Sequence, residues 1–157
     1  MDGSCYCNWS CDYICIQDTE IQGKPEETNN PAAESGVVYA PLTGKIIPLE
    51  DIPDPVFASG IVGWGCGVEP EDDTVYAPFD GKVVMVAESK HAVGITGKEG
   101  TEVLIHVGID TVKMNGNGFR TFVSAGQTVK KGERLLQFHR EKIREAGYPA
   151  VTAVLVN

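Results

Sequence analysis

The chain has 157 residues, a formal net charge of −9 and five cysteines, a length that fits one domain able to bury its own core. Its acidic balance argues against a nucleic-acid or anionic-membrane partner, because both call for a basic patch that releases counterions. No run approaches the roughly eighteen uninterrupted apolar residues of a membrane span, and the N-terminus lacks a basic stretch followed by an apolar one, so a soluble and unexported chain is expected.

Residues 1–36 hold seven acids against one lysine, which leaves the remainder only mildly acidic. Cys5, Cys7, Cys11 and Cys15 crowd the first fifteen residues at spacings that match no zinc template, and no histidine accompanies them. A metal knot or a disulfide cluster stands beside the plainer alternative of an unfolded leader with free thiols in a reducing compartment. Gln17 to Ser35 is polar and proline-bearing with almost nothing to bury, the composition of a disordered linker. Structure is expected from Val37 onward, so the domain is 37–157.

From there short β-branched runs recur between Gly, Pro and Asp: Val37 to Ala40, Lys45 to Leu49, Thr74 to Ala77, Lys82 to Ala87, Glu102 to Val107, Arg120 to Val123 and Val151 to Val156. Asp51 to Ser59, with Pro53 and Pro55, is a loop with at most one helical turn. Arg140 to Ala146 is the one helix, its Ile143 turned inward and its end marked by Gly147 and Pro149. A repeat is visible: Val-Tyr-Ala-Pro-Leu-Thr-Gly-Lys-Ile-Ile from Val38 returns as Val-Tyr-Ala-Pro-Phe-Asp-Gly-Lys-Val-Val from Val75, 37 residues later. Each copy predicts strand, turn with glycine at positive φ, then strand, a hairpin built twice. Ala125 to Phe138 has the same turn-then-strand grammar. Together these predict an all-β fold, an antiparallel sandwich or flattened barrel with a duplicated hairpin of the barrel-sandwich hybrid type and one short helix. Cys66, alone among glycines, is expected to be a small buried apolar residue.

Three histidines are candidates for chemistry. In Glu102-Val-Leu-Ile-His106-Val, alternation sends Val103, Ile105 and Val107 to one face and Glu102, Leu104 and His106 to the other. By itself His106 is a packed or half-exposed strand histidine. His91, after Glu88-Ser-Lys, opens a strand beginning Ala92-Val-Gly-Ile, with its direction undetermined. His139 precedes the charged helix in a polar setting and is a solvated surface residue.

Four motifs in order carry a resemblance. They are Asp51-Ile-Pro-Asp-Pro-Val-Phe57 with Gly63-Trp-Gly65, then Lys90-His-Ala-Val-Gly-Ile95, then Ile105-His-Val-Gly-Ile-Asp-Thr-Val112, and then Asn115-Gly-Asn-Gly-Phe119. Over Val37 to Asn157 the chain resembles the glucose-family enzyme IIA of the bacterial phosphotransferase system. The resemblance implies a cytoplasmic phosphoryl carrier, free or part of a membrane permease, that needs no cofactor beyond a covalent phosphohistidine. It implies that His106 takes the phosphoryl group from phospho-HPr and gives it to a cysteine of a IIB domain, with transport or metabolic proteins as regulated partners. It makes His91 the supporting histidine and Ser89 the hydroxyl that fixes its tautomer. Asp54 and Asp110 match acids that receive a basic residue of HPr, and Phe57 and Val107 would rim an apolar docking face. Backbone N–H groups from Gly108 to Thr111 are expected as further donors to the phosphoryl oxygens, at the start of a short helical turn.

The chain departs from the family pattern in two places. Trp64 replaces the aspartate usual between the glycines and Cys66 follows where an aliphatic residue is common, which marks the loop facing the site as altered. The family domain also continues beyond the segment matching Thr152 to Asn157, so a truncated domain with an exposed sheet edge is expected.

Two other functions compete. One is a lysostaphin-type zinc hydrolase on a related duplicated hairpin, with His91 and His106 as zinc ligands, although a catalytic zinc takes three protein ligands. The other is a lipoyl- or biotin-type swinging-arm carrier modified at Lys113.

Overall fold

The structure, a computed structural model, describes residues 37–157. The cysteines at 5, 7, 11 and 15 and the linker 17–35 lie outside the described residues. Within them the elements in chain order are β1 (Gly44–Pro48), α1 (Pro55–Ala58), β2 (Trp64–Pro70), β3 (Thr74–Tyr76), β4 (Gly81–Val86), β5 (Ala92–Gly97), β6 (Glu102–His106), β7 (Phe119–Thr121), β8 (Thr128–Val129), β9 (Arg134–Phe138), α2 (Arg140–Glu145) and β10 (Thr152–Val156), with 3-10 turns at Leu49–Asp51 and Thr111–Met114. The all-β expectation holds, with two short α-helices where one was expected. Seven strands form an antiparallel sheet in the order β1-β2-β10-β6-β5-β4-β8, and three form a second in the order β3-β9-β7. Among the described residues neither sheet closes on itself, so the fold is an open sandwich and not a flattened closed barrel.

Period-two alternation builds the interior. Val93 and Ile95 of β5, Val103 and Ile105 of β6 and Val154 of β10 face Val75, Leu136 and Phe138 of the small sheet. The opposite residues of the same large-sheet strands form a smaller apolar layer on its outer surface: Ala153 and Leu155 join Ile52 and Ile109, with Leu104, Ile47 and Phe57 packed against them. The α1 segment thereby lies on the outer face of the large sheet, where a half-buried side chain is open to partners.

The repeat folds differently from its expectation. Val37–Ala40 is not a strand, and β3 and β4 belong to different sheets, so neither copy is a hairpin. Each Ala-Pro pair turns a corner, because proline has no N–H for a ladder. The copies instead bond to each other reciprocally: Tyr39 N–H donates to Pro78 O at 3.1 Å and Tyr76 N–H to Pro41 O at 2.6 Å. Since position 76 repeats 39 and 78 repeats 41, the duplication closes on itself about a pseudo-twofold. The repeat glycines Gly44 and Gly81 were expected at positive φ but lie in β1 and β4 without it. They are required for close approach, as a Cβ would run into the carbonyl of Glu69 on β2 in the first case and of Thr96 on β5 at 2.5 Å in the second.

The region around Trp64, expected as a loop, is strand β2. Its glycines hide it in sequence, since glycine weakens strand preference. A Cβ on Gly67 would meet Ile47 at 2.7 Å and Ile52 at 2.9 Å, so the bare strand is what lets the α1 segment lie close over the sheet. Cys66 is buried in the main core, as a small apolar residue would be. β10 is hydrogen-bonded on one side to β2 and on the other to β6. β10 is interior to the large sheet because both neighbours offer it an antiparallel ladder, and the outermost strands of that sheet are β1 and β8.

Candidate active site

His106 ends β6 on the outer face of the large sheet, as the alternation predicted. Its register partners are Ala153 on one side and Ala92 on the other, two small residues that leave room around the imidazole. The chain then turns sharply at Gly108, whose φ is +73°, and brings the Gly108 carbonyl to 2.8 Å from His106 Nδ1. A carbonyl only accepts, so Nδ1 carries the proton and Nε2 keeps its lone pair. The turn is pinned from below: buried Thr111 donates its hydroxyl to Val107 O at 2.5 Å, and Ile109 N–H donates to Pro149 O at 3.0 Å.

His91 arrives from the neighbouring strand. Lys90 adopts a left-handed conformation at φ 58° and its N–H donates to Ala87 O at 2.8 Å, a tight turn that aims the next residue inward. His91 is 7% exposed, and its carbonyl accepts from Val107 N–H at 2.8 Å. The Ser89 hydroxyl lies 2.7 Å from His91 Nδ1. When that hydroxyl donates, the ring proton sits on Nε2, which is then a donor toward the site. The His91 and His106 rings meet edge to face, with centroids 4.6 Å apart and planes at 82°.

The third wall comes from α1. Asp54 caps this single turn, its Oδ1 accepting Val56 N–H at 2.8 Å and Phe57 N–H at 3.1 Å. Proline follows at the first helical position, where no N–H is needed. The cap presents the Phe57 ring to His106 at 5.0 Å between centroids.

Burial sets the charge state of both histidines. Desolvation, reinforced by the neighbouring His106, holds His91 down at about 4. Desolvation also lowers His106, opposed by the Gly108 carbonyl and by the charge of Asp54. Both imidazoles are thus neutral at pH 7, and His106 presents a nucleophilic nitrogen.

The structure gathers His106, His91, Ser89, Asp54 and Phe57. It places the other expected residues elsewhere or gives them other work. Val107 is fully buried in the main core and cannot rim a docking face, because alternation turns it inward with Ile105. Asp110 is exposed, as an acid offered to a partner has to be, and pairs with Lys113 at 3.3 Å. Ile109 N–H is occupied by Pro149, which removes it from the expected donors. Trp64, 77% exposed, does not face the site: Gly65 and Gly67 share the side of Ala153 and Leu155, so Trp64 belongs to the opposite face. His139 is exposed at the start of α2. Lys113 lies in the 3-10 turn Thr111–Met114 and not in a hairpin turn, so a swinging-arm modification there has no structural support. Two parts of the site were not read from sequence, the Gly108 carbonyl as the tautomer lock and the flanking alanines. The only signal for either was the Gly after His-Val. Among the described residues no three His, Cys, Asp or Glu side chains converge to hold a metal, so the histidine pair lacks the third ligand that a zinc hydrolase requires.

The chain is similar to known proteins in sequence and in fold. The family model for the phosphoenolpyruvate-dependent sugar phosphotransferase system, EIIA 1, matches residues 36–157. The chain is 46% identical over 119 residues to the PTS system glucose-specific EIIA component of Bacillus cereus, covering 76% of this chain and 72% of that one, and the relative of the same name in Bacillus anthracis matches to the same extent. Among solved structures it resembles glucose permease IIA from Mycoplasma capricolum, with a TM-score of 0.73 and 35% identity over 76% of this chain and 77% of that one. None of these relatives supports the hydrolase alternative. The chain belongs to the EIIA 1 family of the phosphoenolpyruvate-dependent sugar phosphotransferase system, in which it is a phosphoryl-carrying transferase component.

Proposed function

We propose that His106 is the phosphoryl-accepting residue, that phospho-HPr is the donor and that a cysteine of a IIB domain is the acceptor. The observation that carries this reading is the tautomer lock: with Nδ1–H held by the Gly108 carbonyl at 2.8 Å, Nε2 is the one nucleophilic nitrogen of a neutral ring. Its lone pair attacks phosphorus, the N–P bond of phospho-HPr breaks, and an Nε2–P bond forms on His106. Attack by the IIB thiolate then breaks that bond and makes an S–P bond. Because phosphoryl transfer passes through a loose transition state, the protein chiefly positions the group and supplies donors to its oxygens. His91 supplies one through Nε2–H, held in that tautomer by Ser89. Asp54 and Asp110 offer negative charge to a basic partner, which speeds encounter, and Phe57 gives it an apolar contact beside His106. The names of the relatives point to glucose as the sugar served, and the chain works on the cytoplasmic side, where such donors act.

Incubation with phosphoenolpyruvate, enzyme I and HPr tests the assignment. Wild type is expected to gain one acid-labile phosphate and His106→Ala none. His91→Gln is expected to accept the group but pass it on poorly. Labelling of His106→Ala, or none of wild type, would overturn the reading.

A further inference from the structure

The outer face of the small sheet lies on the side of the sandwich away from His106, and it is cationic and aromatic. Arg120 of β7 and Arg134 of β9 both lie over the ring of Phe122, at 5.1 and 4.6 Å. Lys131, three residues before Arg134 in the turn that leads into β9, sits over the ring of Tyr39 at 3.2 Å, and Lys130 is exposed. Two guanidinium groups converging on one ring repel each other, which an anion between them would relieve. Yet none of these four cations forms an ion pair with a described carboxylate, the three such pairs being Lys113–Asp110, Arg140–Asp73 and Arg144–Glu141. The two acids of the same region, Asp80 and Glu133, accept the backbone N–H groups of Lys131 and Lys130 at 2.8 and 3.2 Å.

The chain enters the fold at Lys131, in the turn that leads into β9. Tyr39, under Lys131, is only the third described residue, and the segment ahead of it carries Asp18, Glu20, Glu26, Glu27 and Glu34 against the single Lys24. Glu34 is five residues and Glu27 twelve residues from Tyr39. At about 3.3–3.6 Å per extended residue they reach roughly 17 and 40 Å, enough to cross a three-stranded face. A tether this short holds the acids near the surface at an effective concentration on the order of millimolar. We propose that residues 18–34 dock on the outer face of the small sheet, their carboxylates paired with Arg120, Arg134 and Lys131 around Phe122. Docking there runs the tether along the back of the sandwich, which keeps the His106 face open to protein partners.

Nuclear magnetic resonance of the full chain tests this from both ends. Replacing Glu26, Glu27 and Glu34 together by Gln is expected to shift the side-chain Nε–Hε signals of Arg120 and Arg134. Replacing Lys131 and Arg134 by Glu is expected to move the backbone amides of residues 26–34 toward random-coil positions, cutting their departure from it at least about threefold. Salt at about 0.5 M should produce the same movement in wild type, since exposed pairs are screened. Unchanged His91 and His106 ring signals will confirm that each variant is folded. Arginine signals that ignore the linker substitutions, or linker amides that ignore the Lys131 and Arg134 substitutions, overturn the proposal and leave the face to a polyanionic partner in trans.

Discussion

The Asp54 carboxylate accepts the backbone N–H of Phe57 at 3.1 Å while the Phe57 ring lies 5.0 Å from His106, so one acid both shapes the wall of the site and biases its nucleophile. These two roles are separable. Asp54→Ala removes the cap and is expected to cost about 1 kcal/mol in denaturant unfolding. Asp54→Asn retains most of that stability, since asparagine caps nearly as well. Both variants remove a charge that raises His106, so a pH titration of the ring signals should show the His106 pKa lower than in wild type in each. An unchanged His106 titration in Asp54→Asn would remove the electrostatic role.

Ser89 offers a sharper test of the supporting histidine. Ser89→Ala leaves Nδ1 of a nearly buried ring without its 2.7 Å partner, which is expected to cost about 1–3 kcal/mol. Nitrogen-15 shifts of His91 should change from a single tautomer to a mixture, and onward phosphoryl transfer should slow more than acceptance. A single unchanged tautomer would assign the serine to the turn alone.

Burial lowers the pKa of both site histidines, and His91 shows what this does to the pH dependence of stability. Its pKa is depressed in the folded state to about 4 from 6.5, so between those values the unfolded chain binds more protons than the native one. Stability is therefore complete above about pH 6.5 and falls as the pH drops toward 4. His91→Gln, which cannot titrate, is expected to flatten that part of the curve in urea midpoints measured from pH 7 to 4. An equally steep fall in the variant would place the acid sensitivity elsewhere.

Gly108 is expected to tolerate no side chain. At φ +73° an L residue is strained, and a Cβ would meet the Thr111 side chain and stand 3.0 Å from Pro149 O, both fixed by their own bonds. Gly108→Ala should cost about 2 kcal/mol or more and release His106 Nδ1–H from its carbonyl, visible as a tautomer mixture. An equally stable variant with an unaltered tautomer would refute the locking role.

Much of the fold was legible where chemistry repeats at short range. The alternation in Glu102 to Val107 located β6 and separated Ile105 from His106. The inward Ile143 and the stop at Gly147 bounded α2: Gly147 takes φ +84° and Tyr148 N–H returns to Ile143 O at 3.1 Å, a cap that needs glycine. What misled was glycine and proline used for space rather than for turns. Gly44, Gly65, Gly67 and Gly81 lie in strands because neighbouring backbone or side chains come too close for a Cβ, and no local rule separates that need from a turn. The two Ala-Pro corners read as hairpins for the same reason.

The sequence by itself determined the β architecture, the duplication, the inward and outward faces of β6 and, through four ordered motifs, the family and its candidate histidines. Only the tertiary structure decided which residues meet. His91 and His106 are separated by fourteen residues and become edge-to-face neighbours because β5 and β6 pair with Ala92 opposite His106. Asp54 reaches the site because β2 is bare enough for α1 to rest on the sheet, and Val107 leaves it because its face is the core. Both outcomes depend on register and on contacts between distant strands, which are set by the packing of the whole sandwich and not by any residue's local preference.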